Sequence, residues 1–273
     1  MNLLSSIESA EHKYRQILEE FFISIFDTKV LISHGIDHHR RVWAYAKELV
    51  TYIDAGHSSS QIPDPEKLII ACYLHDIGMA IDPGSKHGRL SMQFCIQFLN
   101  NNDLNAAEFE DVLYAIENHD RKDYNSSDGT NDLLTVLSAS DDLDAFGFTG
   151  IYRYSEIYLT RGINPEKIGY MIIENALKRF DHFKKRFGYI DPLLQKHKEK
   201  YNILENFFNK YNKEVQSYHF GGHNPTGNCG IVEILISVLN NKIGLTEFFI
   251  EGENHGNDPV IRWFFNGLKS ELS

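Results

Sequence analysis

The spacing of apolar residues is the feature that most constrains this chain. In nearly every segment they recur every three or four positions, as in Ile7, Ala10, Tyr14 and Ile17, which would share one face of a first helix. No segment shows the sustained alternation of apolar and polar residues that is typical of a half-buried strand. The sequence therefore predicts an all-α fold.

Several helix boundaries are indicated by local signals. Asp64, Asn164 and Asp258 each precede a proline, which places a capping side chain before the residue best suited to the first helical position. A helix is expected from Asp132 to about Phe146. The stretch HFGGHNPTGNCG at 219–230 is the richest in glycine, proline and asparagine and predicts a long loop, which we consider as a lid over a site.

Composition limits the partners and the location of the protein. The 273 residues include 27 Lys and Arg against 38 Asp and Glu, a formal net charge of −11, which disfavours nucleic acid polymers and anionic membranes as partners. The N-terminus lacks the basic and apolar regions of a signal peptide. The three cysteines, Cys72, Cys95 and Cys229, form no CxxC pair. We expect a soluble, cytoplasmic protein.

A small set of histidines and aspartates lies on the predicted apolar faces. His38 begins the stripe that Val42 continues, and Asp141 lies four residues after Leu137. An ionised carboxylate in such a position is costly unless it is paired or bound to a metal. Helices of a bundle can direct such residues to one point, and a mixed imidazole and carboxylate set suits Mn, Fe, Co, Ni, Zn or, less well, Mg. The set comprises His38, His75, Asp76, His119 and Asp141.

Five motifs in this set's surroundings resemble one known family. They are HGIDHHRRVWAYA at 34–46, ACYLHDIG at 71–78, KHGRLS at 86–91, AIENHD at 115–120 and SASDDLDAFGFTGIYR at 138–153. In this order they resemble the HD-domain superfamily of metal-dependent phosphohydrolases. The chain looks closest to the bacterial stand-alone members that carry HDxxHxxRV and ADRLDAxGAxGxxR.

The resemblance extends over about residues 12–215. It implies an HD-type helical bundle as the hydrolase domain at 1–215. Residues 216–273 would form a C-terminal loop and helical extension packed on the same domain.

The resemblance also implies a ligand set. His38, His75, Asp76 and Asp141 match the metal ligands of the family. In binuclear members, histidines at the positions of His87 and His119 bind a second ion, whereas in mononuclear members they contact phosphate or water. Both remain open, with one divalent ion favoured over two.

The sequence departs from the family pattern at three places. Asp142 stands where the family often has arginine, which removes a cation beside the site. Met79 follows HDIG where the cyclic-dinucleotide phosphodiesterase branch has lysine, and that branch's GYP signature is missing. We therefore disfavour that branch.

The expected chemistry is hydrolysis of a phosphoester or phosphoanhydride in a small phosphorylated metabolite, with a nucleotide favoured, through a metal-activated water. Asp76 would orient the nucleophile and His34 would protonate the leaving group. Asp144 would either hydrogen-bond a ligand or relay a proton. His87, His119 or Lys86 would neutralise charge on the phosphoryl oxygens, and the other expected phosphate-binding residues are Arg89, Arg153 and Arg186.

Two other functions remain open at this stage. A di-iron oxygenase can be built on the same fold, and an HD domain can bind a nucleotide as a signal without turning it over. The aromatic residues after Asp141 have two interpretations as well, base stacking or, more commonly, core packing. They are Phe146, Phe148, Tyr152 and Tyr154. The oligomeric state is not indicated.

Overall fold

The computed structural model describes residues 2–26, 32–55, 62–121, 132–222, 224–242 and 244–272. Within these ranges it contains twelve α-helices and no strand, which confirms the predicted all-α fold. The chain divides into two compact units, Met1–Asp144 and Ala145–Ser273. The expected boundary after residue 215 falls inside the second unit. The extent of the motifs set that boundary in the sequence analysis, and the division at residue 215 stays a prediction.

The first unit contains six helices, with α3 at its centre. Residues 68–74 of α3 are all buried, because the helix packs against α1, α2, α4, α5 and α6. A helix enclosed on all sides is apolar all round, which explains the uninterrupted run LIIACYL. The helices are α1 (Leu3–Phe26), α2 (Ile36–Ala55), α3 (Pro65–Leu74), α4 (His87–Asn101), α5 (Glu110–Asn118) and α6 (Leu133–Leu143). Short 3-10 turns lie at Ile32–His34, Ile77–Ala80 and Ala106–Phe109.

Side-chain caps set the starts of two helices in this unit. Asp64 accepts a hydrogen bond from the backbone N–H of Glu66 at 3.0 Å, with Pro65 as the first helical residue of α3. Asp132 accepts from the N–H of Thr135 at 2.8 Å at the start of α6. The helix from Asp132 ends at Leu143, three residues before the expected end at Phe146.

The second unit contains the remaining six helices. Within it α10 packs against α7, α9, α11 and α12, so the C-terminal helices share the core of the helices before them. Phe146 lies 5.9 Å from Phe180 between ring centroids, and Tyr152 stacks on Phe248 at 5.3 Å. These contacts favour core packing over base stacking for both residues. The helices are α7 (Gly147–Thr160), α8 (Pro165–Phe187), α9 (Asp191–Glu214), α10 (Gly227–Asn240), α11 (Leu245–Asn254) and α12 (Pro259–Leu272).

The glycine-rich stretch at 219–230 is only partly a loop. Helix α10 begins at Gly227, where the carboxylate of Glu214 accepts hydrogen bonds from the N–H of Cys229 at 3.0 Å and from the side chain of Asn228 at 2.6 Å. Residue 223 lies outside the described residues, and the role of the stretch as a lid stays a prediction. Across the described ranges, no helix combines the length and apolar character needed to cross a membrane.

Candidate metal centre

Four buried side chains from three helices of the first unit converge on one point. His38 lies in the first turn of α2 and Asp141 in the last turn of α6. His75 and Asp76 follow the last residue of α3, where the chain leaves the helix for the 3-10 turn. Each of the four side chains is nearly inaccessible to water. The four residues meet because the ends of α3 and α6 and the start of α2 lie at the same place in the unit.

These residues form what we call the four-residue group. The Nε2 atoms of His38 and His75 lie 3.3 Å apart, and Asp76 Oδ2 is 3.6 Å from each of them. Asp141 Oδ1 is 3.7 Å from the first and 3.8 Å from the second. One ligand atom from each residue fits within a span of 4.8 Å. Two imidazole nitrogens and two carboxylate oxygens so close together form a donor set that fits a divalent cation.

A second group shares Asp76 with the first. Asp76 Oδ1 lies 3.1 Å from His119 Nε2 and 3.5 Å from His87 Nε2, and these three residues form the three-residue group. His87 begins α4 and His119 follows the last residue of α5. The two oxygens of one carboxylate thus face two different sets of imidazoles. His87 is buried, which contradicts a simple solvated position at a helix start.

Backbone carbonyls orient three of the four imidazoles. In each case Nδ1 bonds to the carbonyl oxygen three residues earlier in the chain. Because a carbonyl only accepts, the ring carries a proton on Nδ1 and turns Nε2 toward the cluster. The pairs are His75 with Cys72 at 3.0 Å, His87 with Gly84 at 2.6 Å and His119 with Ile116 at 2.7 Å.

His38 is oriented by a carboxylate instead. Its Nδ1 lies 2.8 Å from Oδ2 of Asp144, which is also buried. Arg41 binds the same carboxylate through both oxygens, with Nε 2.7 Å from Oδ1 and Nη2 3.0 Å from Oδ2. The hydrogen bond to His38 is the first of the two roles expected for Asp144. Arg41 was not among the expected site residues, although its position one turn after His38, within the HxxRV match, could have indicated it.

Charges in the metal-free cluster are coupled through Asp76. Burial raises the pKa of Asp76, but His75, His119 and His38 outweigh it and hold that pKa well below its ordinary value. Burial lowers the pKa of His119, but the hydrogen bond to Asp76 and the negative charges of Asp76, Asp120 and Asp141 together outweigh burial and raise the pKa to about 9. At neutral pH His119 therefore carries a proton on Nε2, which a metal ion in the three-residue group has to displace.

The other expected site residues lie in different surroundings. His34 is buried, its Nδ1 is 2.8 Å from Ser33 Oγ, and its ring centroid is 5.4 Å from that of His38. Lys86 and Arg89 are exposed at the start of α4, and neither forms an ion pair within the described part of the chain. Arg153 and Arg186 belong to helices α7 and α8 of the second unit. The phosphate-binding roles of these four cations stay predictions.

The helical bundle with its buried imidazole and carboxylate cluster agrees with two comparisons. Residues 35–145 match the model of the HD domain family. The fold is similar to a crystal structure of a protein from Lactobacillus plantarum, with 18% identity and a TM-score of 0.50 over 74% of this chain and 97% of that one. A comparison with curated proteins gives no match. Residues 35–145 therefore form an HD domain, and this domain indicates a family of metal-dependent phosphohydrolases.

Gly78, the last residue of the HDIG motif, allows the turn after Asp76 to lie directly against the start of α4. Its N–H donates to Ser91 Oγ at 2.8 Å. A Cβ atom added at Gly78 would lie 2.3 Å from the carbonyl oxygen of His87 and 2.7 Å from the backbone nitrogen of Ser91. Because both neighbours are backbone atoms, the clash requires a shift of α4, which supplies His87 to the three-residue group.

We expect Gly78→Ala to lower the free energy of unfolding by about 2–3 kcal/mol, in the range typical of overpacked sites. Urea denaturation followed by circular dichroism measures this. Gly35→Ala is the matched control, since its added Cβ would meet only the carbonyl of Ile32 at 3.8 Å, an ordinary contact. Equal stability of the two variants would show that the close approach does not constrain the turn.

Proposed function

We propose that the chain hydrolyses a phosphoester or phosphoanhydride bond in a small phosphorylated metabolite, with a nucleotide as the favoured substrate. The observation that supports this most strongly is the Asp76 carboxylate, whose two oxygens face two sets of buried imidazoles. A bound divalent ion supplies Lewis-acid polarisation of a phosphoryl oxygen and activation of a water molecule. The donor set fits such an ion, and the family has this chemistry.

The residues of the chain would orient the attacking water, protonate the leaving group and bind the phosphate. Asp76 would orient the attacking water, and the burial of the cluster would keep bulk water from screening its charges. Ser33 can donate its hydroxyl proton to Nδ1 of His34, which leaves a proton on Nε2 for transfer to the leaving oxygen. Lys86 and Arg89 would bind phosphate groups as exposed cations.

We propose two ions in place of the single ion favoured from the sequence. The four-residue group and the three-residue group each offer at least three ligand atoms, and they meet at Asp76. Sites that hold two metal ions occur in phosphatases and nucleases. We therefore propose two positions, with the identity of the ions, among Mn, Fe, Co, Ni, Zn and Mg, to be measured.

The proposed substrate is small because of the overall charge. At a net charge of −11, attraction for an anion has to be local, at the metal cluster and the few cations near it. Nucleic acid polymers and anionic membranes are disfavoured as partners for the same reason. A cytoplasmic location remains part of the proposal.

Metal analysis of the purified protein, combined with a phosphate-release screen over nucleotides and sugar phosphates, tests the proposal. We expect activity to be lost on chelation and restored by Mn²⁺, Co²⁺ or Ni²⁺. Two irons per chain with oxygen consumption would instead indicate the oxygenase. Nucleotide binding without any released product would indicate the sensor, and either result would overturn the proposal.

A further inference from the structure

Among the four imidazoles of the centre, His38 alone is held through Nδ1 by a charged partner. The other three bond to neutral backbone carbonyls. Asp144, the partner of His38, is almost completely buried, and an ionised carboxylate in that position is strongly destabilising unless a cation compensates its charge. Arg41 provides that cation.

The contact between Arg41 and Asp144 fixes the orientation of the Asp144 carboxylate and also compensates its charge. The planar guanidinium binds both carboxylate oxygens, at 2.7 Å and 3.0 Å, so the plane of the carboxylate is set. With Oδ1 and Oδ2 both held by Arg41, Oδ2 also faces Nδ1 of His38 at 2.8 Å. A carboxylate there requires a proton on Nδ1 and leaves Nε2 for the cluster.

The same contact joins the two helices that supply half of the four-residue group. Arg41 lies one turn after His38 on α2, and Asp144 lies three residues after Asp141, directly beyond the end of α6. The Arg41–Asp144 contact therefore lies within one helical turn of a ligand on each helix. Among the described residues, no comparable charged pair supports His87 or His119, whose Nδ1 atoms bond to carbonyls.

We propose that Arg41 is a positioning residue for the four-residue group. It acts through Asp144 on the orientation and tautomer of His38 and makes this group the first to take up metal. The difference in charge acts in the same direction, because the four-residue group contains two carboxylates and the three-residue group only the shared Asp76. The inference rests on the proposed function in that it requires metal to bind at the cluster.

Calorimetric titration of the metal-free, full-length protein with Co²⁺ alone tests this order of binding. We expect Arg41→Gln to weaken the first Co²⁺ by about 10- to 100-fold, as is usual for partners of metal ligands, and to change the second much less. Arg41→Lys should recover only part of the affinity, since an ammonium cannot bind both oxygens in one plane. Asp144→Asn should lower the affinity for the first Co²⁺ about as much as Arg41→Gln does. The double variant should lower this affinity no further, because Arg41 acts on His38 only through Asp144.

Arg40→Gln is the matched control. Arg40 is the adjacent arginine on α2, but it pairs with Glu19 and Asp37 rather than with Asp144. A general loss of stability in α2 would affect both variants, whereas positioning of His38 would affect only Arg41→Gln. If Arg41→Gln does not fold, Arg41→Lys measured against Arg40→Lys gives the same comparison.

Nitrogen-15 NMR of the ring nitrogens in metal-free protein separates this inference from the proposed function. His38 should be protonated on Nδ1 in the unmodified protein and should become a mixture of tautomers in the Arg41 variants. This result in a protein that binds none of Mn²⁺, Fe²⁺, Co²⁺, Ni²⁺, Zn²⁺ and Mg²⁺ would overturn the proposed function and the order of loading, while the positioning of His38 by Arg41 would stand. Unchanged tautomer and unchanged first affinity in a folded Arg41 variant would overturn the inference.

Discussion

Replacing Asp76 with alanine is expected to abolish both metal retention and turnover while the helix content stays near that of the unmodified protein. Asp76 is the one residue shared by the two groups, with Oδ2 3.6 Å from His38 and His75 and Oδ1 3.1 Å from His119. Its removal takes a ligand from both positions at once. We expect kcat/KM to fall by on the order of 10³-fold or more.

This result is checked on one preparation by measuring metal content per chain, circular dichroism and phosphate release. Asp111→Ala serves as the control, because Asp111 lies in the same unit but forms an ion pair with Lys67 at the surface. It should retain full metal content and activity. A folded Asp76 variant that still released phosphate at the unmodified rate would contradict the assignment of the cluster as the active site.

The fold was predictable because helical periodicity and capping act locally. The run LIIACYL required a helix enclosed on all sides, and α3 is that helix. Asp64 before Pro65 marked its start correctly. The sequence predicted an end of α6 about three residues too late. Phe146 continues the apolar spacing of that helix, but the helix ends at Leu143 and Asp144 is its C-cap.

The convergence of the site residues was only partly accessible from the sequence. Inward polar residues on separate helices indicate a common centre, but they do not show which carboxylate oxygen faces which ring. The division into two groups around Asp76 depends on the position of α4, and this depends on the close contact between Gly78 and His87. Helical spacing alone did not indicate the contact of Arg41 with Asp144, since an arginine on a helix usually reaches solvent, and only the HxxRV match pointed to Arg41.

Replacing both His87 and His119 with alanine is expected to remove one of the two proposed ions and leave the other. The two imidazoles belong to the three-residue group, and the four-residue group keeps all its ligand atoms. We expect kcat to fall by about 10²- to 10³-fold, the effect typical of losing one strong electrostatic contact to the transition state. Metal analysis after dialysis, together with phosphate release, measures both effects, and His12→Ala on the exposed face of α1 is the control.

The affinity for the proposed second ion is expected to depend on pH if His119 is its ligand. Burial lowers the pKa of His119, but the hydrogen bond to Asp76 and the charges of the nearby carboxylates together raise it to about 9, so the metal-free protein holds a proton on Nε2 at neutral pH and loses it as the pH rises through about 9. Binding of the ion releases this proton, and the affinity for the second ion should therefore rise by up to about tenfold per pH unit between pH 7 and 9 and level off above. The proton also stabilises the metal-free fold, in full below the unfolded-state pKa of about 6.5, and this contribution is lost as the pH rises through about 9. A second ion that binds with no pH dependence below pH 9, or that survives in the His87 and His119 double variant, would show that it is bound elsewhere.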